Sequence, residues 1–163
     1  ATAGGGTDER YEMSTIGNYF QDDLRVSVLA SSNNINSSGF SFDEVFDMMG
    51  RSAGRNVFGG NGSGITKAET AGINMVNKWQ DDLRLNADYF FGKNDTERKT
   101  LVQRENILPD SRYFSNSSDQ RNLINNSHRA NVRFEIEFDT LTRLSVRPRI
   151  EANIVESHRN RTA

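Results

Sequence analysis

The residues best equipped for chemistry in this chain are paired acids, a glycine run, two histidines and recurring arginines. Asp22-Asp23 and Asp81-Asp82 each set two carboxylates side by side. A divalent cation needs several oxygen ligands, and no third ligand sits near either pair. Both pairs read as tight-turn residues, because aspartate tolerates the backbone of a sharp reversal. Gly59-Gly60-Asn61-Gly62-Ser63-Gly64 has the glycine content of a phosphate-binding loop. Such a loop requires Lys and then Ser or Thr after its last glycine, and Ile65-Thr66 stands there instead. The segment reads as a flexible connection descending to a strand. His128 and His158 belong to no Gly-x-Ser-x-Gly elbow and no His-Glu-x-x-His motif. His128 reads as a residue of polar parity at the start of a strand. The absence of cysteine removes disulfides, thiolate metal sites and thiol nucleophiles together. The expectation is therefore a protein without catalytic, cofactor-binding or metal residues, and not an enzyme. A net charge of −2 gives no reason to expect a nucleic-acid partner.

The arginines lead to a repeat. Phe20-Gln21-Asp22-Asp23-Leu24-Arg25 returns as Trp79-Gln80-Asp81-Asp82-Leu83-Arg84, and more weakly as Phe138-Asp139-Thr140-Leu141-Thr142-Arg143. The aromatics Phe20, Trp79 and Phe138 recur at one spacing, and so do Arg25, Arg84 and Arg143. The period is too long for one tight hairpin. It fits two strands, one short turn and one long connection.

The flanks of each copy alternate, which is the period of a strand. Ala130, Val132, Phe134, Ile136 and Phe138 share one face, and Arg129, Asn131, Arg133, Glu135 and Glu137 the other. After the third turn, Leu144, Val146, Pro148, Ile150, Ala152 and Ile154 alternate with polar neighbours. Around the second turn the apolar set is Ala71, Ile73, Met75 and Trp79, then Leu85, Ala87, Tyr89 and Phe91. Around the first, Ile16 and Phe20 pair with Val26, Val28 and Ala30. The reading is three hairpins and six strands, with Pro148 interrupting a ladder or marking a bulge.

The remote ends of these strands are joined differently. Residues 31–64 and 92–127 read as long polar connections. Asn, Ser and Gly supply 19 of the 34 residues from 31 to 64, and structureless loops this long are uncommon in compact soluble domains. Within them, Ser41-Phe42-Asp43-Glu44 has the form of a capping box. Phe42, Val45, Phe46 and Met49 follow at helical spacing up to Gly50, which predicts a two-turn helix.

Only 34% of the residues are hydrophobic, and no run nears the ~18 apolar residues of a membrane-spanning helix. A membrane barrel survives such low hydropathy because only alternate residues meet lipid. The apolar face from Ala130 to Phe138 is nine residues long. A tilted strand needs ~9–11 residues to cross a bilayer. Short turns on one side and long connections on the other are the asymmetry of an outer-membrane barrel. The expected fold is all-β: an antiparallel up-and-down transmembrane β-barrel segment of about six strands, with short periplasmic turns and long extracellular loops. Phe20, Trp79 and Phe138 would form a periplasmic aromatic girdle, with Tyr89 and Phe91 near the opposite interface. Arg25, Arg84 and Arg143 would form a basic rim inside the barrel, paired with Glu135 and Glu137 or facing acidic groups of a plug. The competing architecture is a soluble β-sandwich, in which the same alternation would face core and water.

Several segments in order carry a resemblance. They include Gly6-Thr7-Asp8-Glu9-Arg10-Tyr11, Leu24-Arg25-Val26-Ser27-Val28-Leu29, Asn33-Asn34-Ile35-Asn36 and Gly39-Phe40-Ser41-Phe42. Ala71-Gly72-Ile73-Asn74, Ala87-Asp88-Tyr89-Phe90-Phe91, Leu108-Pro109-Asp110-Ser111 and His128-Arg129-Ala130-Asn131 continue it. Together they resemble the barrel of a TonB-dependent receptor in the outer membrane of a Gram-negative bacterium. The resemblance implies import of a nutrient ligand through a plugged barrel of about 22 strands, energised by TonB. It implies as partners the outer-membrane lipid, the remaining barrel strands and plug of the same protein, and an extracellular ligand or lipoprotein. Residues 1–163 would be part of one barrel domain, with plug and remaining strands absent. A secreted all-β binding or adhesion module and a structural or assembly barrel without import are the alternatives.

Overall fold

The computed structural model describes residues 1–36, 64–79, 82–109 and 111–162. Eight strands form one antiparallel sheet: β1 (Thr2–Gly5), β2 (Tyr11–Gln21), β3 (Leu24–Asn33), β4 (Ile65–Trp79), β5 (Leu83–Ile107), β6 (Arg112–Glu137), β7 (Arg143–Val146) and β8 (Arg149–Thr162). Neighbours in sequence are neighbours in space from β1 to β6, and both β7 and β8 pair with the far edge of β6. The sheet is up-and-down and open.

The three hairpins stand where the alternation puts them, but the strand count is larger for two reasons. β1 pairs with β2 through Ala3 opposite Met13, a contact too short and glycine-rich to carry a period. β7 and β8 are one line of chain broken around Pro148. The register does not slip across the break: Phe134 faces Val146 and Asn131 faces Arg149. Val132 N–H still donates to the Pro148 carbonyl at 3.0 Å. Proline has no N–H to return that bond, so the ladder is interrupted without a bulge.

Residues 92–127 are not a long loop. β5 continues to Ile107 and β6 starts at Arg112, so the connection is short, and Leu108 N–H closes it on the Ser111 carbonyl at 2.8 Å. These extensions are mostly polar on both faces, and their few apolar residues show no alternation. Backbone ladder bonds and polar cross-strand pairs hold them. The Thr66 and Thr96 hydroxyls meet at 3.0 Å, the Ser127 hydroxyl donates to the Gly92 carbonyl at 3.1 Å, and Gln120 donates to Glu97 at 2.9 Å. The other expected loop begins later than 31, because Ser31–Asn33 still pair with Ala68–Thr70. The helix expected from Ser41 to Gly50, and the glycine run up to Ser63, lie outside the described residues.

The first hairpin corrects a face assignment. Gln21 pairs with Leu24, so the turn holds two residues, with Asp22 in the left-handed region at φ 49°. Directly opposite residues share a face, and Phe20 lies opposite Arg25 while Val26 lies opposite Tyr19. Ile16 and Phe20 therefore point away from the side carrying Val26, Val28 and Ala30.

Candidate functional site

Tracing the register from strand to strand separates two continuous faces. One carries Tyr19, Val26, Met75, Ala87, Val132 and Pro148 in a single cross-strand row, with Val28, Ile73, Tyr89, Ala130 and Ile150 in the next. The other carries Ser27, Asn74, Asp88, Asn131 and Arg149.

Burial runs opposite to polarity. Ser27, Ser31, Asn33, Thr66, Thr70, Asn74 and Arg129 are buried, and all lie on the polar face. The two buried apolar side chains among the described residues, Leu29 and Phe90, lie there too, over Gly72 between them. The apolar face is the open one: Val28 is 45% exposed, Ile73 44% and Ile150 70%. A water-soluble sheet buries its apolar side against a second layer. Here the polar side is covered along the middle strands β3 to β6, and the apolar side is presented outward.

The polar face is internally bonded. Asn74 donates to Asn86 at 3.1 Å and Asn131 to Asp88 at 2.6 Å. Arg129 and Arg149 both hold Glu151 at 2.8 Å. Buried polar groups demand such partners. Among the described residues, no group of acidic or histidine side chains is arranged to hold a metal ion.

The apolar face is a band with definite limits. On β5 it runs Leu83, Leu85, Ala87, Tyr89, Phe91, then turns to Lys93, Asp95 and Glu97. On β6 it runs from Ile136 back to Ala130 and then turns polar at Asn126. His128 sits at that upper limit. It shares the parity of Ala130, so its side chain belongs to the apolar face, and β6 begins well before it. Its Nδ1 lies 2.8 Å from the Tyr89 hydroxyl, and its ring stands 5.1 Å from that of Phe91. Tyr89 and Phe91 thus have a third ring beside them, from a residue expected on the polar side.

The three repeat aromatics do not act alike. Trp79 closes β4 opposite Leu83, on the apolar face. Phe138 follows Ile136 at the end of β6, and its N–H bonds the Thr142 carbonyl at 3.0 Å. Phe20 is on the polar face, where the Arg25 guanidinium stands 5.5 Å over its ring. The cause is turn length: the second hairpin closes over three residues, Trp79 to Leu83, where the first closes over two. One residue of difference reverses the face of a matched position. Tyr19 occupies the corresponding apolar place on β2, with its hydroxyl donating to Gln21 at 2.6 Å.

Arg25, Arg84 and Arg143 do share the polar face at the turn end. Arg143 pairs with Glu137, and Arg84 lies directly opposite Glu135. Glu135 is also held by Arg133 at 3.1 Å and Arg147 at 3.3 Å. In the third turn, the Leu141 N–H bonds the Asp139 carboxylate at 2.7 Å and holds its pKa below the ordinary aspartate value.

The fold and its faces define an open, antiparallel, up-and-down sheet with a covered polar side and an outward apolar band. No protein-family model matches the chain, and no curated protein or solved structure matches it. No helix among the described residues is long and apolar enough to cross a membrane.

Proposed function

We propose that this chain is part of the wall of an outer-membrane β-barrel, of the kind that a TonB-dependent receptor uses to import a nutrient ligand. The observation that carries the barrel reading is the inverted burial: polar residues covered, apolar residues presented outward. Lipid is the solvent that such an outward band suits.

The stagger of the repeat supports it. The cross-strand row through Tyr19 reaches Val26 and then Met75, while the aromatic of the next copy on that face is Trp79. The row through Trp79 reaches Leu83 and then Ile136, and the next aromatic on that face is Phe138. The repeat thus advances six residues over four strand-to-strand steps. With a rise of ~3.3 Å per residue and a strand spacing of ~4.8 Å, that is a slope of about 45°. Strands of outer-membrane barrels tilt by ~35–45°. Nine residues on that slope rise about 21 Å, against an apolar band of ~25 Å in such barrels.

Import, TonB and the plug rest on the resemblance of the sequence segments alone. Two measurements test the proposal in the full-length protein. After alkaline washing the protein is expected to stay with outer membranes; release into the supernatant would reject the barrel. Ligand uptake is expected to vanish in cells lacking TonB, and uptake that persists would reject the import role while leaving the barrel intact.

A further inference from the structure

We propose that the polar face of β5, β6 and β8, beyond the apolar band, is an anion-binding site for a compact ligand carrying two or more neighbouring oxyanion groups. One cross-strand row sets Arg98 opposite Arg121 and Arg121 opposite Arg159. Residues opposite one another in an antiparallel ladder have Cα atoms ~4.5–5.5 Å apart. Three like charges in one row oppose strand pairing rather than support it. Asp119 in the next row offsets Arg159, and an anion bridging the Arg98 and Arg121 guanidiniums would relieve the repulsion that remains.

The neighbouring charges point the same way. The next row holds Thr100, Asp119 and Arg161, and Arg104 lies opposite Ser115 further along the same face. Above the row of Asn94 and Asn125, this face carries five arginines and one carboxylate among the described residues. That carboxylate is committed: the Arg159 Nε donates to Asp119 Oδ1 at 2.9 Å, and Nη2 donates to Oδ2. Arg121 has a neutral partner, donating through Nε to the Ser157 hydroxyl at 3.3 Å. The acids Glu97 and Glu105 point to the opposite face, where Glu97 meets Gln120 and Glu105 meets Arg112.

Guanidinium forks bind carboxylate and phosphate oxygens in bidentate fashion. Arg98 and Arg121 are exposed, and Thr100 supplies a hydroxyl beside them. A lipid phosphate is not the ligand this face fits, because the outward apolar band lies on the other side of the sheet. The inference needs only the strand register and stands apart from the barrel reading.

The test is isothermal titration of the full-length protein in detergent with two probes, inorganic tripolyphosphate and citrate. Saturable binding of at least one probe is expected, and which probe binds tells phosphate from carboxylate ligands. Binding should weaken about tenfold or more in Arg98→Gln/Arg121→Gln, as two charge-assisted contacts are lost. It should hold in Lys93→Gln/Lys99→Gln, whose side chains share the opposite face. The arginine variant is expected to melt no lower than the parent, since it removes like-charge repulsion. No saturable binding of either probe, or equal weakening by both variants, would overturn the proposal.

Discussion

Phe134→Arg should be among the most damaging single substitutions in this chain, and its cost should depend on depth. Phe134 lies at the middle of the apolar band, in one row with Leu85 and Val146. If the band faces lipid, an arginine there sits near the bilayer midplane and costs ~2–4 kcal/mol. Ile154 is on the same face at the upper limit of the band, opposite Asn126. There an arginine can extend its head group to the interface, and the cost falls to ~0–1 kcal/mol. The measurement is the unfolding free energy of the full-length protein refolded into vesicles, for both variants. The gradient matters more than either value. A soluble sheet with this face in water would tolerate both arginines, and a soluble sandwich core would reject both. Equal costs at the two positions would therefore rule out the lipid-facing assignment.

That gradient depends on knowing which residues share a face, and here sequence and structure divide unevenly. The alternation at Ala130–Phe138 and Leu83–Phe91 was legible because one face of each is nearly all apolar. β5 and β6 beyond residue 92 were not legible. Lys93, Asn94, Asp95 and Thr96 are polar on both sides, so nothing in their pattern distinguishes a ladder from a loop. Their strand state comes from a partner, since each extends against a neighbour whose lower half is already fixed. The arginine row was hidden for the same reason: Arg98, Arg121 and Arg159 meet only once the register is known. Phe20 shows a different limit. The repeat aligns Phe20 with Trp79 and Phe138, but face is set by turn length, and Asp22-Asp23 and Asp81-Asp82 look alike in sequence while closing over different numbers of residues.

The other large effect is expected on the covered side, at Phe90. Leu29, Gly72 and Phe90 lie in one row across β3, β4 and β5. Glycine leaves β4 bare at that point, so the two apolar side chains meet over its backbone and are left 3% and 4% exposed. A Cβ on Gly72 would stand 3.1 Å from Phe90 Cδ2 and 3.3 Å from Leu29 Cδ1, tighter than ordinary contact. Phe90→Ala should cost about 3 kcal/mol, the low end for a buried aromatic. Buried Ser27, Thr70 and Asn74 share this face, so water can enter the vacated space and limit the penalty. Gly72→Val alone should cost ~1–3 kcal/mol through overpacking. Combining them should cost less than the sum by roughly 1 kcal/mol or more, because the valine methyls fill the volume the phenyl ring leaves. Denaturant midpoints for the two single variants and the double variant close the cycle. Additive costs would mean that Phe90 and Leu29 do not pack over Gly72, and that this face is covered by something other than its own side chains.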